Sequence, residues 1–294
     1  MKNYQSAKPF IIAEAGSNHN GDIETAFRLV DLAKKAKADS VKFQIINPEG
    51  LYLPAFYENG NYSPNAVIEQ RRKFMLTDND YARIADYCRE KEIDFSASVF
   101  DEKSLDLLLS LSPSYIKIAS CDLNNITFLK KAAQKAADKG SFMILSTGMS
   151  TLQEIEHSIS ELFNAGFKDI VLLHCVSVYP AKLSQMNLGF IDILKKSFSL
   201  PIGLSDHTPN SLASVIALTK GAVYFEKHIT LSKNQEGFDH AHSLEEAEFD
   251  QYIKDINDSF EAISSHGDKL TLDELNVKKR ARRSLYAARQ LEKG

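Results

Sequence analysis

Cysteine is scarce in this sequence: Cys88, Cys121 and Cys175 are three in number, far apart, and show no CxxC spacing. That excludes a disulfide framework and a zinc knuckle, and leaves buried free thiols as the reading. No run approaches the roughly 20 apolar residues that cross a bilayer. The start, MKNYQSAKPF, lacks the apolar core of a secretory leader, so a cytoplasmic setting is expected. Neither sign of charge dominates, with 35 Lys and Arg against 39 Asp and Glu and a formal net charge of −4. Nothing global therefore points to nucleic acid or an anionic membrane as partner. An internal repeat and a low-complexity tract are absent as well.

What is present is a regular alternation of short apolar runs with longer segments of helical period. Eight strand-like runs occur: Phe10–Ala15, Ser40–Ile45, Ile93–Ser98, Tyr115–Ala119, Phe142–Ser146, Ile170–Cys175, Pro201–Ser205 and Val223–His228. Helical segments follow them at Ile23–Lys37, Asn79–Lys91, Glu102–Leu111, Asn125–Asp138, Leu152–Ala165, Leu188–Phe198, Ser211–Lys220 and Leu244–Ser264. Thr77 and Asp101 are candidate helix N-caps, and Thr151-x-x-Glu154 reads as a capping box. Eight βα units predict an α/β chain folded as a (β/α)8 TIM barrel, for which roughly 250 residues is typical. An open doubly wound sheet is the competitor; it ranks second because no glycine-rich fingerprint follows the first strand.

Two intervals break the rhythm. Residues 46–78, containing NPEGLYLPAFYENGNYSP, form a connection long enough for a lid or binding loop, with a short helix expected at Asn65–Met75. Beyond the barrel, taken as residues 1–268, the stretch 269–294 is polar and carries the basic run Lys278-Lys279-Arg280-Ala281-Arg282-Arg283. A solvated tail is the expectation there.

Side chains alternate along a strand, so each strand shows one face to the barrel interior. Val41, Phe43 and Ile45 suit the helix layer, which turns Ser40, Lys42 and Gln44 inward. By the same phase Glu14, Ser96, Ser98, Lys117, Ser146, His174, Gly203, Ser205, His207, Glu226 and His228 point in. Polar residues thus gather at the C-terminal ends of the strands, where barrel enzymes keep their chemistry.

Lys42 and Lys117 in one enclosed space repel each other, and an anionic ligand relieves that repulsion. Ser98, Ser120, Ser146 and Ser205 add hydroxyl donors of the kind that surround a phosphate. His207 and His228 end neighbouring strands and form a candidate metal pair with open coordination positions, accepting Mn²⁺, Co²⁺, Zn²⁺ or Mg²⁺. Asp206 orients a histidine or caps the next helix. Glu14 and Asp122 are candidates for acid-base work or for sugar hydroxyls, and equally for salt bridges to the lysines. His174 is read as a supporting group.

The motifs IIAEAGSNHNGD (11–22), VKFQ (41–44), IKIASCDLNN (116–125), ILSTGM (144–149), LLHCVSVYPA (172–181), GLSDHT (203–208) and EKHITL (226–231) together resemble the sialic acid synthase family. The resemblance implies condensation of phosphoenolpyruvate with an open-chain N-acylated amino sugar such as N-acetylmannosamine, with release of phosphate. It implies that Lys42, Ser98, Lys117, Ser120, Ser146 and Ser205 hold phosphoenolpyruvate, with Ser177 near that end. His207 and His228 would bind a divalent metal, Mn²⁺ foremost, and Glu14 would position or deprotonate water. Gln44, Asp122, Tyr179 and Asp239 would contact the acceptor sugar. RRSLYAARQLEKG (282–294) resembles the linker to the family's C-terminal antifreeze-like domain, itself absent from this sequence, and a homodimer is the expected assembly.

Two rival readings accompany this one. In the first, Lys117 forms a Schiff base with a keto acid, as in another class of barrel aldolase. In the second, a catalytically weakened barrel only binds phosphoenolpyruvate or a sugar.

Overall fold

A computed structural model describes residues 8–264 and 267–294. Residues 1–7, part of the stretch read for a leader, lie outside the described residues, as do Ser265 and His266. The chain alternates strand and helix from its start: β1 (Phe10–Gly16), α1 (Ile23–Lys35) and β2 (Ser40–Ile45). An excursion follows, comprising α2 (Pro48–Leu51), the hairpin β3 (Ala55–Glu58) and β4 (Asn61–Pro64), and α3 (Ala66–Lys73). Alternation then resumes with α4 (Asp78–Glu90), β5 (Asp94–Val99), α5 (Glu102–Ser110), β6 (Tyr115–Ile118), α6 (Ile126–Lys139) and β7 (Phe142–Ser146). It closes with α7 (Leu152–Asn164), β8 (Ile170–Cys175), α8 (Phe190–Ser197), β9 (Ile202–Asp206), α9 (Leu212–Thr219), β10 (Tyr224–His228) and α10 (Glu246–Ile263).

Eight strands form a closed barrel in the order β1-β10-β9-β8-β7-β6-β5-β2, and the pairings are parallel. The expected TIM barrel is the architecture observed. Its helices start where local chemistry offers partners to the free N–H groups of a first turn. Thr77 and Asp80 form a reciprocal cap on α4, Thr151 and Glu154 on α7, and Asp101 with Ser104 on α5. Apolar side chains facing away from the barrel axis pack against these helices in one large core that includes Val41, Phe43, Ile116, Ile118, Leu204 and Phe225. Burying each such side chain contributes roughly 1.5–3 kcal/mol. Ile12, Tyr115, Ile144, Val171 and Leu173 form a second, smaller apolar cluster. Tyr115 keeps its hydroxyl satisfied by Ser40 Oγ at 3.0 Å.

The long interval after β2 holds more structure than the single short helix expected. Its hairpin turns on Asn59-Gly60, both with positive φ (51° and 82°), a two-residue turn whose twist suits antiparallel strands. The described part of Ala262–Gly294 is a separate small unit and is not simply an irregular tail. It contains α11 (Leu272–Ala281), started by a reciprocal cap between Thr271 and Glu274.

One inward assignment fails. β8 pairs with β9 so that Leu173 lies beside Gly203 and His174 beside Leu204. His174 therefore faces the helix layer, where Nε2 meets the Met186 carbonyl at 2.7 Å. The run IVLLHC is apolar on both faces, so alternation alone carries no phase; the neighbouring strand's register decides it. Cys175 takes the inward position instead.

Candidate active site

Glu14 is flanked in register by Lys42 on β2 and His228 on β10, so three candidate side chains meet at one rim of the barrel. The ammonium of Lys42 lies 2.5 Å from Glu14 Oε2 and 3.4 Å from Glu226 Oε2. It donates to Ser98 Oγ at 2.9 Å. Lys117 donates to Ser146 Oγ at 2.8 Å and stands 4.0 Å from the same Glu226 oxygen. Ser205 Oγ donates to the other oxygen of Glu226 at 2.8 Å. Both lysines and both glutamates are buried. The lysine repulsion inferred from sequence is thus already relieved in the protein itself: Glu14 pairs with Lys42, and Glu226 stands between the two ammonium groups.

Burial and these charges set the protonation states. Desolvation lifts the Glu14 carboxyl to about 7, with Lys42 opposing and Glu226 reinforcing it. Burial also acts to raise Glu226, but Lys117, Lys42 and the Ser205 hydroxyl outweigh it and hold that carboxyl at about 2. Desolvation acts against the charge on Lys42, yet Glu14 and Glu226 keep its pKa above the ordinary lysine value. At Lys117 desolvation wins and lowers it. The site therefore holds one carboxyl poised to exchange a proton near neutrality beside another fixed as an anion.

Two glycines shape the floor. Gly16 has φ +55°, and a Cβ there would meet Gln44 Nε2 at 3.3 Å, Asp239 Oδ2 at 3.4 Å and Glu14 Oε1 at 3.4 Å. Three predicted site residues from different parts of the chain thus converge over one backbone position, whose positive φ favours glycine. Gln44 also donates to Glu14 Oε1 at 2.9 Å. At Gly148, whose N–H donates to Ser120 Oγ at 3.0 Å, a Cβ would collide with Ser177 Oγ and approach Ser120 Oγ to 2.8 Å. Ser120 and Ser177 are thereby brought together. Asp122 has Asn125 and Cys121 as hydrogen-bond partners.

His207 and His228 face each other with ring centroids 5.6 Å apart. Nδ1 of His207 donates to the Val176 carbonyl at 2.8 Å, which makes Nε2, 3.5 Å from Ser205 Oγ, the nitrogen whose lone pair can turn to a ligand. Burial opposes charge on His207, but the Cys175 thiol, the Val176 carbonyl and Glu226 outweigh it and raise its pKa. Burial, with His207 and His242 adding to it, holds His228 well below its ordinary value, and its Nδ1 is buried without a hydrogen-bond partner. A pair of buried imidazoles, with His228 Nδ1 unpartnered and His207 Nε2 held only by a long contact to Ser205, fits a divalent ion with open positions. Among the described residues no three His, Cys, Asp or Glu side chains are gathered into a ready cage. Tyr179 packs its ring 4.1 Å from His207 and 6.1 Å from His228.

Several participants carried no assigned role in the sequence reading. Glu226 was inward by phase, yet only its position between the lysines reveals its part. Cys175 was hidden by the misjudged phase of β8. Asn18 clamps the mouth from the β1–α1 loop, donating to the Ile229 carbonyl at 2.8 Å and to Ser243 Oγ at 2.9 Å.

The NeuB family matches residues 29–268. The N,N'-diacetyllegionaminic acid synthase of Legionella pneumophila is 35% identical over 97% of this chain and 82% of its own length. The N-acetylneuraminate-9-phosphate synthase of Drosophila melanogaster is 33% identical over 97% of this chain and 83% of its own. A crystal structure of N-acetylneuraminic acid synthetase from Leptospira borgpetersenii, in complex with citrate, superposes with a TM-score of 0.80 at 32% identity. It covers 95% of this chain and 94% of that one. Among the described residues no helix is long and apolar enough to cross a membrane.

Proposed function

Since the chain belongs to the NeuB family, we propose that it condenses phosphoenolpyruvate with the open-chain form of an N-acylated amino sugar, giving a nine-carbon 2-keto acid and phosphate. The observation that supports this most is the pair of buried lysines, each hydrogen-bonded to a serine hydroxyl and both facing Glu226 at the C-terminal rim of the barrel.

On this reading Lys42 and Lys117, with Ser98, Ser120, Ser146 and Ser205, receive the phosphate and carboxylate of phosphoenolpyruvate, and Ser177 borders them. Gln44, Tyr179 and Asp239 hold the acceptor beside Gly16, and Asp122 reaches it from the rim. A divalent metal on His207 and His228, Mn²⁺ foremost with Mg²⁺, Co²⁺ or Zn²⁺ as alternatives, would supply Lewis acidity for the acceptor's carbonyl oxygen. These contacts orient C3 of phosphoenolpyruvate toward the aldehyde carbon, where the new C–C bond forms. Glu14, with its pKa near 7, takes a proton from the water that adds at C2. The lysines neutralise the phosphate as its C–O bond breaks and the C2 hydroxyl collapses to the ketone.

The same reading makes residues 1–268 the catalytic part of a cytoplasmic homodimer and 269–294 a linker-like stretch. Phosphate release tests it. Protein with Mn²⁺ and phosphoenolpyruvate is offered a panel of N-acetylmannosamine and diacetamido-trideoxyhexoses, with a chelator control. Release with at least one sugar, lost on chelation, supports the proposal; silence across the panel with phosphoenolpyruvate still bound favours the binding-only barrel.

A further inference from the structure

We infer that His242 is a third imidazole ligand of the metal centre; the inference rests on the reading that a divalent ion binds His207 and His228.

His242 reaches the barrel mouth on a segment anchored at both ends. The Leu244 N–H donates to the carbonyl of His228 itself at 2.8 Å, and Ile229 and Leu244 form a bridge. Ser243 Oγ donates to the Asp239 carbonyl at 2.6 Å and accepts from Asn18. The imidazole is held against the histidine pair by this backbone and not by a free loop. Its side chain is only 9% exposed, and its Nε2 is buried without a hydrogen-bond partner. A buried nitrogen left in that state is costly, and a bound ion that orders the ring removes the cost.

The spacing fits common ligation. With a metal–nitrogen distance of about 2.1 Å and about 1.2 Å from nitrogen to ring centre, two imidazoles at a tetrahedral angle stand about 5.4 Å apart. His242 lies 5.3 Å from His228 at an interplanar angle of 73°, and His207 lies 5.6 Å from His228. His228 is the central ring of the three. The Tyr179 ring touches His242 as well, at 5.0 Å, and is half exposed, so it has room to withdraw as the outer rings turn inward. Asp239 Oδ1 stands 3.6 Å from His242 Nε2. That is beyond hydrogen-bond range, so the carboxylate does not already satisfy this nitrogen.

Metal binding is measured directly, by Mn²⁺ titration followed by electron paramagnetic resonance and by the visible spectrum of the Co²⁺ form. Wild type is compared with His242→Ala, His242→Gln and His207→Ala, each checked for a cooperative thermal unfolding curve. The inference predicts that both His242 variants lose at least about ten-fold in Mn²⁺ affinity and change the Co²⁺ spectrum. It is overturned if a folded His242 variant keeps wild-type affinity and spectrum while His207→Ala loses both. If wild type takes up neither ion, the two-histidine centre falls together with it.

Discussion

Lys227 Nζ lies 3.1 Å from Asp206 Oδ2, and both side chains are buried on the outer face of neighbouring strands, each one residue before a candidate metal ligand. The ammonium also donates to the carbonyls of Thr208 and Asn210, while the carboxylate accepts from Thr208 and Ser214. This pair clamps β9 to β10 from behind and so fixes the separation of His207 and His228. Lys227→Ala leaves a buried carboxylate without its counter-charge and is expected to cost about 3–5 kcal/mol. Denaturant unfolding measures it. The double variant Lys227→Met with Asp206→Asn should recover at least half of that loss, and a single-variant loss below about 1 kcal/mol would show that the pair is not a clamp.

Phosphoenolpyruvate binding should take up protons. Glu14 has its pKa at about 7, so at pH 8 it is mostly ionised; an anion arriving beside it raises that pKa further and favours the protonated form. Lys117, lowered by burial, shifts upward in the same way. The phosphate monoester, with a second pKa near 6, is already ionised at this pH. Calorimetry at pH 8 in buffers of different ionisation enthalpy is expected to show net uptake that falls in Glu14→Gln; proton release would contradict the assignment.

His19 should make stability depend on pH. Its ring is buried, and Nδ1 accepts the Gly21 N–H at 3.0 Å, a bond that exists only while that nitrogen is unprotonated. Burial lowers its pKa from 6.5 to about 4. The unfolded chain therefore binds the proton first: the stabilisation is full above pH 6.5 and is lost progressively as pH falls toward 4. The loss amounts to about 2–3 kcal/mol for this residue. Urea unfolding at pH 7.5 and pH 4.5 should show a smaller difference for His19→Gln than for wild type. An equal difference would mean that His19 titrates normally.

Lys117 should not form a Schiff base. Its amine donates to Ser146 Oγ and to the Ile118 carbonyl and faces Glu226, an environment that suits an anion's partner. Borohydride reduction in the presence of pyruvate is expected to leave the protein mass unchanged. A pyruvyl adduct on Lys117 would revive the aldolase reading.

Particular residues show how far the sequence alone reached. The strands carrying Lys42, Lys117 and Ser205 alternate apolar with polar, so their inward phase was legible and the structure places them as expected. β8 reads apolar on both faces, and His174 was turned the wrong way until β9 supplied its register. Asn59-Gly60 carried a hairpin signal within the stretch read as a loop. The part played by Glu226 was not legible, because its two lysines come from β2 and β6 and meet it only when the barrel closes. His242 lies beyond the last barrel strand, where no alternation gives a direction, and only the anchoring of Leu244 to His228 places it.

The central claim is that the lysine and serine cluster releases phosphate from phosphoenolpyruvate by C–O cleavage as a sugar acid forms. Phosphoenolpyruvate labelled with ¹⁸O in the bridging position, mixed with Mn²⁺-loaded protein and an accepted N-acyl amino sugar, tests it most directly. The account predicts a nine-carbon keto acid by mass spectrometry and phosphate that retains the label by ³¹P resonance. Unlabelled phosphate, or no condensation product while phosphoenolpyruvate stays bound, would contradict it.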